Sequence, residues 1–200
     1  MARDGGRNQM RERIAHLAAR IMAEDGVDDY AQAKRKAARQ AGAADSRHLP
    51  DNAEIEAALR TYRSLYQQHH PQQLRELREL ALEVMDDLPA FDPHLIGPVL
   101  AGTAGQFAGI HLQLFVESNK AVEFELLNRG IPFRTGSVRL YAGELAVDAE
   151  VLSFEREGVT VQLTLLSPRE RRSRLKTSPA GQPIERADRQ AVAALIDVAP

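Results

Sequence analysis

Two patterns predict an α+β protein: a helical stretch over residues 1–88 and a strand-bearing stretch over 89–200. The first 88 residues repeat their apolar positions at helical spacing. After Pro89 the pattern changes, and Val159, Val161, Leu163 and Leu165 alternate with Thr160, Gln162 and Thr164 as in a strand with two unlike faces. The chain therefore divides into a region of about four helices (1–88) and an α+β region with a basic loop and a C-terminal helix (89–200).

Each element has a local reason. Ile14, Leu17, Ala18, Ile21 and Met22 form an apolar stripe, and Gly26 suits the end of that helix. Asp29 is placed to cap a second helix carrying Tyr30, Ala33, Ala37 and Ala38, which ends near Gly42. Residues 43–50 read as a connector. Asp51 with Glu54 resembles a capping box before the stripe Ile55, Leu59, Tyr62 and Tyr66. Pro71 suits the first turn of a fourth helix bearing Leu74, Leu77, Ala81, Val84 and Leu88. These stripes need partners, so the helices are expected to pack together or on the second region.

In that second region an apolar strand is expected to end at Gly102-Thr103, and Ile110–Val116 reads as another. A helix over Asn119–Arg129 stops at Gly130. Val147–Phe154 and Val159–Leu166 read as a hairpin across Arg156-Glu157-Gly158, and a last helix is expected from about Arg186.

The 200 residues hold 26 Lys plus Arg against 28 Asp plus Glu, a net charge of −2. That balance argues against a dedicated nucleic-acid or membrane-surface binder while leaving room for a local patch. Hydrophobic residues make up 44%, enough for a core. Cysteine is absent, which excludes disulfides, thiolate metal sites and a cysteine nucleophile. No apolar run reaches membrane-spanning length and MARDGGRNQMRER has no signal core, so a cytoplasmic protein without a membrane partner is expected. Of the six histidines, at 16, 48, 69, 70, 94 and 111, no pair has the helical i, i+4 spacing of a zinc site.

The most specific segment is GPVLAGTAGQFAGIHLQLFVES. It resembles the polymerase-β-type nucleotidyltransferase core, where a strand leads to a small-residue pair and a second strand carries two acids one residue apart. A third acid comes from a later strand. The resemblance implies a nucleotidyltransferase-like mixed sheet, with Gly102 and Thr103 at the small pair, His111 and Gln113 at the acid pair and Gln162 at the third acid. Residues i and i+2 share a strand face, so carboxylates there would hold divalent metal. Here all three are neutral, and glutamine is a poor magnesium ligand. The whole chain resembles a family of short proteobacterial nucleotidyltransferase-like proteins, through Gly181-Gln182-Pro183-Ile184-Glu185-Arg186-Ala187 near the C-terminus. Some of its members are labelled UDP-N-acetylmuramate–alanine ligase. The absence of a phosphate-loop motif and the short length argue against that activity.

The resemblance implies a degenerate, non-catalytic member that binds a nucleotide, another phosphorylated ligand or a protein partner in a regulatory or scaffolding role, with no cofactor. One alternative is an active, magnesium-dependent nucleotidyltransferase using relocated acids, with Glu117 as metal candidate and Glu150 and Glu155 on the next hairpin. Another is nucleic-acid binding through Arg169, Arg171, Arg172, Arg174 and Lys176, the strongest local charge bias, facing one acid, Glu170. Residues 11–30 also resemble the first helix of TetR-type repressors. The following basic helix lacks a recognition helix after a short turn, and Asp51, Glu54 and Glu56 come next instead.

Overall fold

The structure, a computed structural model, describes residues 2–25, 27, 29–43, 49–66, 69–105, 107–179 and 181–197. Gly26, His48 and most of the 43–50 connector lie outside the described residues. The protein is α+β, and it divides into two compact units, Met1–Pro71 and Gln72–Pro200.

The first unit holds α1 (Ala2–Asp25), α2 (Tyr30–Gln40) and α3 (Asn52–Tyr66). Ile14, Ala18, Ile21 and Met22 pack with Ala33, Ala37, Ile55 and Leu59 as expected, whereas Tyr62 and Tyr66 of the α3 stripe lie outside this cluster and Tyr66 is exposed. The alanines of α2 let the helices approach closely. The Asp29 carboxylate accepts from the backbone N–H of Ala31 at 2.7 Å, and Asp51 and Glu54 form the reciprocal capping box at 2.9 and 2.7 Å. Arg11 Nε lies 2.8 Å from Glu54, and this guanidinium holds the Glu54 carboxyl below its usual range.

In the second unit α4 (His70–Asp87) turns Leu77, Leu80, Ala81, Val84, Met85 and Leu88 into the core of the sheet. The division therefore falls at Pro71, not at residue 88: the apolar partner of this helix is the sheet. After α4 come β1 (His94–Ile96), α5 (Gly97–Ala101), β2 (Ile110–Phe115), α6 (Asn119–Asn128), β3 (Arg134–Ala142), β4 (Leu145–Arg156), β5 (Val159–Leu166), β6 (Leu175–Lys176) and α7 (Arg189–Asp197). The strand expected to end at Gly102-Thr103 is instead the short β1, followed by a helical turn that Gly102 ends at φ +75. Arg78, largely buried on α4, donates to the carbonyls of Val99, Leu100 and Leu195, tying α4 to α5 and α7.

The strands form one mixed sheet in the order β1-β2-β5-β4-β3-β6, with β2 and β5 parallel. One face packs on α4 and α6 through Leu95, Ile110, Leu112, Leu114, Leu163 and Leu165. On the other, Phe115, Leu140, Ala149, Leu166 and Leu175 form a second cluster with Ile184. That second face is the inside of a curl. Residues 183–187 join its two edges: Ile184 N donates to Leu175 O at 2.7 Å beside β6, and Ala187 exchanges two backbone bonds of 2.8 and 2.9 Å with Leu95 of β1. This seam uses the residues in which the last helix was expected to begin, so α7 starts three residues later.

No helix among the described residues is long and apolar enough to cross a membrane. The β4–β5 turn has Glu157 at φ +53 and Gly158 at φ +78, the backbone of a tight hairpin. Before β2, Gly109 lies so near β5 that a Cβ there would meet Thr160 O at 2.7 Å. Gly109→Ala is accordingly expected to destabilise the second unit by about 1–3 kcal/mol, read as a lower midpoint in denaturant unfolding.

Candidate functional site

The register of the sheet places a row of polar side chains across the inner face. His111 of β2 lies opposite Gln162 of β5, Gln162 opposite Ser153 of β4, and Ser153 opposite Arg134 of β3. Directly opposed residues project from the same face, and neighbouring strands are spaced ~4.8 Å apart. The row thus offers an imidazole, an amide, a hydroxyl and a guanidinium in sequence. His111, Gln162 and Ser153 are half-buried and Arg134 is exposed. Gly97, at φ +72, lies against the His111 ring, where a Cβ would stand 3.8 Å from it.

One step further into the curl, Gln113 lies between His94 and Thr164. Its exposure is 0%, and neither amide atom has a hydrogen-bond partner among the described residues. A buried, unpaired amide is costly. Gln113 therefore forms a polar floor between the half-open row and the apolar cluster around Phe115. His94 is held beside it, with Nδ1 2.9 Å from Asp92 O and its ring edge-on to Phe115 at 5.4 Å.

The three positions singled out on the strands, His111, Gln113 and Gln162, thus share one face. Gly102 and Thr103 do not line it as a phosphate loop: Thr103 is buried and its N–H donates to Pro98 O at 2.9 Å, closing the short helix. Nor does Glu117 join the face of His111, because β2 ends at Phe115 and Glu117 is exposed beyond it. Glu150 projects from the opposite face and accepts from Asn119 Nδ2 at 2.8 Å. Glu155 shares the inner face two residues from Ser153 and accepts from Thr160 Oγ1 at 2.8 Å. No three His, Cys, Asp or Glu gather as a metal site among the described residues.

The basic segment stands apart. Pro168–Arg172 is a 3-10 turn after β5, beginning six residues beyond Gln162, or ~20 Å of extended chain. Glu170 accepts from Ser167 N–H at 2.6 Å, and Arg171 pairs with Asp92 at 2.9 Å. Arg169, Arg172 and Arg174 are exposed, while Lys176 lies in β6 with Nζ 3.4 Å from Pro179 O. Arg186 donates to the carbonyls of Arg171 and Ser173 and lies over the Phe115 ring at 5.4 Å. Burial, with the nearby Arg171 charge, pushes the Arg186 guanidinium below its usual range. Arg186 thus fastens the turn to the seam.

Sequence reasoning missed Ser153 and Arg134. The signal for β3 was present in Val138, Leu140 and Ala142 before the Gly143-Glu144 turn, but the row needs the exact register of four strands. The orphaned floor yields a direct test. Gln113→Met, close in volume and free of polar groups, is expected to stabilise the second unit by about 1–3 kcal/mol in denaturant unfolding.

No protein-family model, no curated protein and no solved structure matches the chain.

Proposed function

We propose that this chain is a non-catalytic binding protein of nucleotidyltransferase-like type, and that it holds a phosphorylated ligand on the row His111, Gln162, Ser153 and Arg134. The in-register row carries the proposal. Phosphoryl oxygens are acceptors, and the row offers them donors of four kinds, ending in a guanidinium suited to bidentate pairing. The mouth of a curled sheet is a common place for such a ligand. Below the row, the Gln113 amide supplies a donor and an acceptor for a ligand group that reaches the floor.

The chemistry supports binding over transfer. Two-metal phosphoryl transfer relies on carboxylates that hold cations against the developing charge. His111, Gln113 and Gln162 are neutral or weakly basic at those positions, and Glu117 stands past the far end of β2. The role that follows is regulatory or scaffolding, with ligand occupancy read out by a partner.

Isothermal titration with nucleoside triphosphates is expected to give binding that does not require magnesium, and Arg134→Ala or Gln162→Ala should weaken it at least tenfold. Gln113→Met should weaken it while leaving the fold intact. Absence of heat with every nucleotide would overturn the ligand and leave protein binding. Magnesium-dependent pyrophosphate release lost in Glu117→Ala would establish an enzyme instead.

A second reading rests on Arg169, Arg172 and Arg174, three exposed guanidiniums that have no acid paired to them among the described residues. It predicts salt-sensitive RNA binding abolished by replacing all three with Ala, measured by fluorescence anisotropy at two ionic strengths. RNA binding unchanged in that variant would refute it.

A further inference from the structure

A cavity lies on the outer side of the sheet, and none of the row's residues lines it. It holds about 500 Å³ between the first turns of α4, residues 107–108 and the β4–β5 turn. Leu77, Leu80 and Val159 supply its apolar wall, and the Phe107 ring stands at the rim 93% exposed. Two carboxylates border it, Glu76 and Glu157, and no Lys or Arg lines it.

We infer that this cavity is a binding site for an organic ammonium ion carrying an apolar body. Charge and shape point the same way. Glu76 accepts one hydrogen bond from Gln72 Nε2 at 2.9 Å, and Glu157 has no ion pair among the described residues. Both negative charges therefore remain for a cation. Phe107 leaves a large apolar ring in water beside that charge, and an aromatic face attracts ammonium as well as covering apolar surface. Gly109 lies close against Thr160 O, and Ala108 N–H donates to Gly105 O at 3.1 Å beside the rim. The volume falls within the range of small-molecule sites.

The turn adds an independent consideration. Glu157 adopts φ +53, a conformation that asparagine or glycine accepts with less strain. The less stable residue at this corner is the one that presents a carboxylate to the cavity.

Phenethylamine, protonated at neutral pH, serves as the probe, with 2-phenylethanol and ammonium chloride as its uncharged and bodiless counterparts. Titration of the full chain is expected to show the phenethylammonium ion binding at least tenfold more tightly than either. Glu76→Gln with Glu157→Gln should weaken it at least tenfold, and Phe107→Ala should weaken it without affecting ammonium. Glu157→Asn should raise the unfolding midpoint while weakening the amine, which separates lost binding from lost folding. His111→Ala should leave amine binding unchanged, so this site and the nucleotide row fail or succeed separately. Equal binding of 2-phenylethanol, or no amine binding, would overturn the proposal. So would the same loss in Glu144→Gln, at the remote β3–β4 turn, since general surface charge would then account for it.

Discussion

Closure of the sheet edge is the constraint on which the second unit depends. A six-stranded sheet with two free edges presents unpaired N–H and C=O groups, and such edges invite pairing with other chains. Here residues 183–187 run between β6 and β1 and satisfy both. Pro183 lacks an N–H and stands at the bridge to Lys176, while the N–H groups of Ile184 and Ala187 make the bonds that the edges need. The segment does this as an extended strap, which is why it cannot begin a helix. Arg186 then reaches across the inner cluster, covers Phe115 and clamps the turn at 171–173. The inner face becomes a lined recess rather than an exposed sheet surface.

Curling has a consequence for polar residues. In a flat two-faced sheet, the alternate positions of β2 and β5 would face water, and His, Gln and Thr there would cost nothing. In this curl the same positions grade from half-open at His111 and Gln162, through fully buried at Gln113, to apolar at Phe115 and Leu166. Desolvation rises along the strand while polarity falls, except at Gln113. An amide held without partners at that depth works against folding, and a sequence tolerates such a residue where binding benefits from it.

Much of this architecture was legible in residue spacing. The stripes of α1 to α4 and the alternation of β5 needed only local periodicity, and Asp29 and Asp51 announced their helices through side-chain geometry that acts within three residues. The two misplaced elements have one cause. Val99, Leu100 and Ala101 are apolar whether they lie in a strand or in a buried helical turn, and Gly97 and Gly102 at positive φ decide for the turn. Residues 186–187 adjoin the stripe of Val192, Leu195 and Ile196, but edge pairing of Ala187 with Leu95, a long-range interaction, claims them for the seam, and Asp188 caps the helix instead. The candidate site divides in the same way. That His111 and Gln113 share a face follows from a period of two. That Gln162, Ser153 and Arg134 extend the row follows from register, which is fixed only when the strands pair.

The near-neutral total charge conceals a separation that bears on both proposed sites. Arg134 ends the row on the inner face, and Arg169, Arg172 and Arg174 follow β5. On the outer side Glu76 and Glu157 border the cavity without a cation among its lining residues. Many other charges are matched locally: Arg129 and Arg156 with Asp87, Arg139 with Asp148, Arg75 with Glu79, and Arg189 with Asp86. Exposed pairs of this kind contribute little to stability, but they cancel one another's field. What remains unmatched is therefore more informative than the sum. The inner face carries the Arg134 guanidinium, suited to an anion, together with the Glu155 carboxylate near the β4–β5 turn, and the outer cavity keeps carboxylate charge suited to a cation. With the β-sheet between them, an anionic and a cationic ligand could be held at once without competing for the same groups.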